Sequence, residues 1–244
     1  LVLESYRFST SSGVIEGTSN IDWGDGVKFF GNYELAESNP TSYSELPIAV
    51  DLSDVSIQGS FDFEVIDSSP VGEISIRSMS GQLGNYPVQG QGSIDVLNDG
   101  FQFRGVELST QNNSLKLDGL VSGDLDLTWE LSAPQLQEVF AELRGELAGS
   151  GYVGGSFPDL NLQGSLTGLE VGYGLLSTDR IELSFAQSNA QFQTEIQIGN
   201  FSYVTESIDE EISNINLRID GSQAEHEVVA SADTNYGEIA LALR

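Results

Sequence analysis

A chain of 244 residues is long enough to bury a sizeable core and, when rich in β-structure, to fold as one unit. Nine basic against 37 acidic side chains give a formal charge of −28, which repels phosphate backbones and anionic headgroups and argues against nucleic-acid binding and electrostatic membrane docking. The absence of cysteine excludes a disulfide framework and thiolate metal sites, and no apolar run is long enough to span a bilayer as a helix.

Apolar and polar residues alternate almost throughout, which is the period of a strand. The first run passes Ile21 and Trp23, turns at Gly24-Asp25-Gly26 and resumes through Val27, Phe29, Gly31, Tyr33 and Leu35. A loop is expected over 38–42. Strands follow with Ile48, Val50 and Leu52, then Val55 and Ile57, then Phe61, Phe63 and Val65, closed by Asp67-Ser68-Ser69-Pro70. Ile74 and Ile76 precede a turn at Ser80-Gly81. Ile94 and Val96 run into Asn98-Asp99-Gly100 and Phe101 and Phe103 leave it, which reads as a hairpin. Val106 and Leu108 end at a turn over 111–114, where Leu115 and Leu117 restart the pattern.

The alternation is strictest next, with Leu125, Leu127, Trp129 and Leu131 on one side and Asp124, Asp126, Thr128 and Glu130 on the other. One helix is predicted, over 134–143. Proline suits its first turn, and Leu136, Val139, Phe140 and Leu143 fall on one stripe, ended by Gly145. Such a stripe fits a core-packing helix and equally a helix lying along a groove. Strands resume with Leu160, Leu162, Leu166, Leu169 and Val171, then Ile181, Leu183 and Phe185, then Phe192, Ile196 and Ile198. After an acidic loop over 206–211 come Ile215, Leu217 and Ile219, then Val228, Ala230 and Ala232, and finally Ile239, Leu241 and Leu243. No linker rich in Pro, Gly or Ser divides the chain, so residues 1–244 read as a single β-segment. Both ends look like strands cut mid-sheet, and the sequence is expected to be a piece of a longer protein.

An apolar residue, a polar one and then glycine recur at Ile57-Gln58-Gly59, Val88-Gln89-Gly90, Leu117-Asp118-Gly119, Leu143-Arg144-Gly145, Leu162-Gln163-Gly164 and Ile219-Asp220-Gly221. The spacing is too uneven for a solenoid. Glycine on the apolar parity either leaves room on that face or lets the strand bend, and simple strand-end punctuation accounts for it as well.

The order of several pieces carries a resemblance. Asn113-Ser114-Leu115-Lys116-Leu117-Asp118-Gly119 is followed by Gly123-Asp124-Leu125-Asp126-Leu127-Thr128-Trp129, Ala133-Pro134-Gln135-Leu136 and a Gly-rich run over 143–155. Pro158-Asp159-Leu160-Asn161-Leu162-Gln163-Gly164-Ser165-Leu166 completes it. Over about 71–185 these pieces resemble the central repeat of the TamB family, the translocation and assembly module proteins of diderm bacteria, within the AsmA-like bridge-type lipid-transfer group. The strong acidity departs from the family pattern. The resemblance implies an all-β fold, a long curled antiparallel or mixed sheet forming an open trough with a hydrophobic lining. It implies an inner-membrane-anchored protein crossing the periplasm with a TamA-like outer-membrane barrel as partner, passing phospholipid outwards or assisting outer-membrane protein assembly. No enzyme activity, cofactor or metal is implied. The lining would comprise the apolar residues named above from Leu115 to Ile219, with the helix stripe facing the groove, and its ligand would be phospholipid acyl chains.

Other chemistries find less support. His226 is the sole histidine, and Ala-Glu-His-Glu-Val around it lacks a nucleophile motif. Asp22-Trp23-Gly24-Asp25-Gly26 and Asp124-Leu125-Asp126 lack the spaced ligands of a calcium loop, and no carboxylate pair stands out for glycoside hydrolysis. Gly149-Ser150-Gly151 and Gly154-Gly155 lack the lysine of a phosphate loop. A membrane β-barrel also alternates, but here no aromatic girdle recurs. The competing reading is an extracellular all-β adhesin or structural module with a closed sandwich core. Trp23 and Trp129 would touch ligand in a trough and form core in a sandwich, and parity fits both.

Overall fold

The computed structural model describes residues 1–10, 13–24, 26–38, 52–156, 159–204, 209–222 and 224–244. The expectations for Asp25, the loop residues 39–42, Ile48, Val50, Pro158 and 206–208 lie outside the described residues, as do the side chains of 209–211. The chain falls into two compact units, Leu1–Gly123 and Asp124–Arg244.

The first unit holds β1 (Val2–Thr10), β2 (Gly13–Asp22), β3 (Val27–Ser38), β4 (Leu52–Ile66), β5 (Ser69–Leu83), β6 (Tyr86–Leu97), β7 (Gly100–Ser109) and β8 (Ser114–Val121). Each pairs antiparallel with the next. The hairpin read at Asn98-Asp99-Gly100 forms, with Leu97 opposite Gly100. Asp67 and Ser68 join β4 to β5 with both φ angles positive, at 49° and 69°, the geometry whose twist matches a two-residue hairpin.

The second unit holds β9 (Leu125–Ala133), β10 (Leu143–Ser156), β11 (Asp159–Tyr173), β12 (Leu176–Ser188), β13 (Gln191–Ile198), β14 (Phe201–Val204), β15 (Asp209–Ser222), β16 (His226–Thr234) and β17 (Gly237–Leu243). Here too every pairing is antiparallel, so the mixed option falls away. β13 and β14 act as one interrupted strand, since both lie between β12 and β15. The interruption at Gly199-Asn200 is held by Asp179, whose carboxylate accepts from the Asn200 backbone N–H at 2.7 Å and its side-chain amide at 3.0 Å.

The predicted helix does not form. One 3-10 turn, Leu136–Glu138, stands where 134–143 was expected to be helical, and Leu143 and Gly145 belong to β10. Ala133 and Leu147 face each other across β9 and β10, so the stretch between them closes a hairpin. Leu143 pairs with Tyr173, which removes the last turn from any helix, and the remainder is too short to offset the cost of nucleation. Leu136 is buried, while Phe140 is 40% exposed.

In both units the expected all-β class is realised as an antiparallel sheet curled at bulges, where one strand carries an extra residue. Neither unit has a dry interior. Among the described residues only Val55, Val88, Ala133 and Leu136 are buried apolar side chains. Strands touch chiefly the strands to which they are hydrogen-bonded. A closed sandwich would instead stack two sheets about 10 Å apart over a core of fully buried residues.

Glycine resolves along the lines the motif suggested, by two mechanisms. At Gly90 and Gly164 a neighbouring side chain, Leu108 and Phe185 respectively, stands nearest the space a Cβ would need, and at Gly59 the Ser75 carbonyl oxygen and then the Tyr33 ring do. Gly119, Gly145 and Gly221 instead have φ of 128°, 99° and 138°, where L-residues are strained. Tyr33 lies over Gly59 and its hydroxyl donates to the Ser75 carbonyl at 3.3 Å, while Tyr6 lies over Gly17 and donates to Asn32 at 3.2 Å.

Burial pushes both tyrosine hydroxyls above their ordinary pKa. A phenol whose pKa is higher folded than unfolded contributes its full stability at neutral pH and loses it as pH rises from about 10 towards the folded value. Tyr33→Phe is therefore expected to lower neutral-pH stability by roughly 0.5–1 kcal/mol and to flatten the alkaline fall, as read by urea unfolding from pH 8 upwards. An unchanged alkaline slope would show that Tyr33 does not contribute to it.

Candidate functional site

The most extensive feature of the second unit is a lateral ordering of apolar side chains. Successive side chains on a strand point to opposite faces, so register decides which residues of adjacent strands meet. One row runs Leu131, Gly149, Leu166, Leu183, Ile196, Leu217, Ala230 and Leu241 across β9 to β17. Beside it runs Trp129, Gly151, Gly164, Phe185, Thr194, Ile219, Val228 and Leu243. A third takes Leu127, Val153, Leu162, Gln187, Phe192 and Gly221. A fourth, on the other side of the first, includes Leu147, Gly168, Ile181, Ile198 and Ile215. Leu125 and Leu160 both pair with Gly155 and extend the margin beyond Leu127.

Burial follows the same parity. Along β9 and β13 the apolar-row residues are half-buried and their neighbours exposed, in strict alternation. The rows thus join into one apolar face whose side chains are screened by one another and not by a second layer. Trp129 covers Gly151, and Phe185 covers Gly164. The large rings fill the space over glycine between strands.

One predicted residue, Leu169, departs from this geometry in an instructive way. Leu169 pairs with Glu146 and Arg180, placing it on the wet face with 42% exposure. Glu170 then takes φ 50°, the register with β10 slips, and Val171 returns to the apolar side, its Cγ2 close to the space above Gly168. Alternation read through position 170 assigns Leu169 and Val171 to one face, whereas the bulge separates them. Of the helix stripe, Leu136 is buried, Val139 half-buried and Phe140 exposed, and Leu143 lies in β10.

Leu115 and Leu117 lie in the first unit, opposite Leu108 and Val106 in β8 and β7. That unit has apolar rows of its own that the expected lining omitted. One runs Ile21, Phe29, Phe63, Gly72, Val96, Phe101 and Val121, and the next Gly31, Phe61, Ile74, Ile94, Phe103 and Gly119. Phe29 and Phe63 stack with ring centroids 5.1 Å apart, and Phe61 tilts against both. Parity alone marked these residues; only the motif match favoured the later stretch.

The opposite face of the second unit carries charge, including the Arg180–Glu182, Arg218–Asp220 and Arg244–Glu227 pairs. These are exposed and individually worth little. His226 is exposed opposite Gly221, its ring 6.4 Å from Phe192. Asp22 accepts the Gly24 N–H at 3.2 Å in a local turn. No group of three His, Asp or Glu side chains converges among the described residues, and no helix there is long and apolar enough to cross a membrane.

Comparison with known proteins gives one match. The model of the TamB N-terminal domain matches residues 1–244, where the motifs had pointed to the family's central repeat and to 71–185. Neither the curated proteins nor the solved structures compared with the chain gave a match. With its sheets of uncovered apolar rows and a family match over its whole length, the chain belongs to the TamB family, the translocation and assembly module family of lipid transport and the cell envelope.

Proposed function

We propose that this chain is a non-enzymatic periplasmic section of a lipid conduit, and that its apolar faces hold phospholipid acyl chains on their way to the outer membrane. The observation that carries this reading is the set of apolar rows that cross strand after strand with, among the described residues, no protein layer over them. Each methylene such a face removes from water is worth about 0.8 kcal/mol, so a single acyl chain gains enough to stay bound without a shaped pocket. The headgroup remains in water. Rows of Leu, Ile, Phe and Trp impose little selectivity among acyl chains, which suits passage better than storage.

In this reading the expected lining works without Leu169, and Leu115 and Leu117 serve the first unit. An inner-membrane anchor and a TamA-like outer-membrane barrel complete the path through parts outside this segment. An apolar strand of an outer-membrane client is the second occupant such a face suits, in keeping with assistance to outer-membrane protein assembly. A photoreactive residue at Ile196, in the middle of the first row, is expected to yield a phospholipid adduct in cells, identified by mass spectrometry. The same group at Thr167, on the wet face, is expected to yield none. Equal labelling at both positions would overturn the lipid assignment, and a polypeptide adduct at Ile196 would transfer it to client protein.

A further inference from the structure

The wet face of the second unit is not uniformly acidic. Two adjoining concavities of about 630 and 390 Å³ share Gln163, Ala186 and Gln193. Register places them on this face. Ser150, Ser165 and Ser184 form one lateral row and Tyr152, Gln163, Ala186 and Gln193 the next, with Gly151, Gly164 and Phe185 of the apolar parity between them. In a chain of net charge −28, Asp220 is the only charged residue among the described residues that line either concavity, and Arg218 engages it.

Three of the amides here are also available. Three glutamines elsewhere on the surface donate to carboxylates, Gln58 to Glu34 at 3.3 Å, Gln91 to Glu107 at 3.4 Å and Gln197 to Glu195 at 2.8 Å. Gln163, Gln191 and Gln193 are exposed and, among the described residues, their side chains make no such bond. An amide offers donors and an acceptor together, and a hydroxyl does the same on a smaller scale. A surface built from both, without charge, matches a ligand that is itself uncharged and carries donors and acceptors along its length. An anion would find no free cation in the lining and Glu130 and Glu195 flanking the serine row. An acyl chain would find amides and hydroxyls in place of apolar side chains.

Geometry narrows the class further. Tyr152, Gln163 and Gln193 stand on β10, β11 and β13, with Ala186 of β12 between the last two. Adjacent strands lie about 4.8 Å apart, close to the repeat of a pyranose chain, so a sugar chain laid across the strands meets one side chain per strand. The Tyr152 ring bounds one end, lying against Gly154 with its hydroxyl on Asp126. We propose that this groove is a glycan-binding site that takes a neutral oligosaccharide across β10 to β13, with its hydroxyl and acetamido groups on Gln163, Gln193 and the serine row.

The test is a titration of the isotope-labelled chain with tetra-N-acetylchitotetraose, followed by amide chemical shifts. Saturable shifts confined to 150–152, 163–165 and 184–193 are expected, with a Kd on the order of 0.1–1 mM. Gln163→Ala with Gln193→Ala is expected to weaken binding at least about fivefold while the remaining spectrum stays that of the folded chain. Ser165→Trp, which fills the groove from an exposed position, is expected to do the same. The lipid adduct at Ile196 is expected to persist in both, which separates this site from the apolar face. Absence of shifts up to about 10 mM sugar, or shifts that are unaltered in both variants, would overturn the proposal.

Discussion

Leu166→Asp combined with Leu183→Asp is expected to reduce phospholipid labelling at Ile196 at least about 100-fold while leaving the chain folded. Leu166 and Leu183 face each other and Leu183 faces Ile196, so the two carboxylates stand in the middle of the first row. Each leucine lost removes about 1.5–3 kcal/mol of apolar burial once lipid covers the site. Each carboxylate that must lose water adds several kcal/mol more. A factor of 100 needs only about 2.7 kcal/mol, so the expected loss is well within what the substitutions supply. The cost to the free protein is small by comparison, because both leucines are only half-buried. The expected drop in unfolding free energy is about 1–2 kcal/mol, against 2–5 kcal/mol for each truncation in a closed core. Unfolding of the double variant would indicate a sealed interior, and full retention of labelling would indicate that acyl chains run elsewhere.

Much of this face was legible in the sequence, because strand parity is a local property. Leu125 to Leu131 alternate on one side in the sequence and are one half-buried stripe in β9. What alternation cannot carry is anything that depends on the neighbouring strand. The reversal at Leu169 and Val171 arises from a bulge seated against Gly145, whose φ is 99°. The expected helix had the right stripe and a proline in place, but the pairing of β10 with β9 and β11 needed residues from Leu143 onwards. The repeated glycines left open whether room for a side chain or a bend in the strand was required. The wet groove was the least legible, since Gln163 and Gln193 are separated by 30 positions in sequence and come together only through β12. The family match then extends the reading to the first unit, where Phe29, Phe61 and Phe63 form an apolar cluster that motif order had not selected.

Gly164→Val is expected to destabilise the second unit by roughly 3 kcal/mol, and Phe185→Ala is expected to remove much of that penalty. A Cβ at Gly164 would stand 2.6 Å from Phe185 Cζ and 3.1 Å from the Ser150 carbonyl oxygen, so the ring is the principal obstacle. Truncating the ring opens the space, and the cycle should show a favourable coupling of at least about 1 kcal/mol in denaturant unfolding. Gly59→Val offers the contrast. There the Ser75 carbonyl as well as the Tyr33 ring occupies the Cβ position, and backbone cannot swing away, so Tyr33→Ala is not expected to rescue it. Gly123→Ala, with open space around its Cβ, is the neutral control. If Gly164→Val and Phe185→Ala prove additive, the glycine serves the backbone and the ring does not lie in its cleft. If they couple, the glycines on this parity are what allow large rings to lie flat, and the apolar face is kept level from strand to strand by pairing each bulky residue with an empty position beside it.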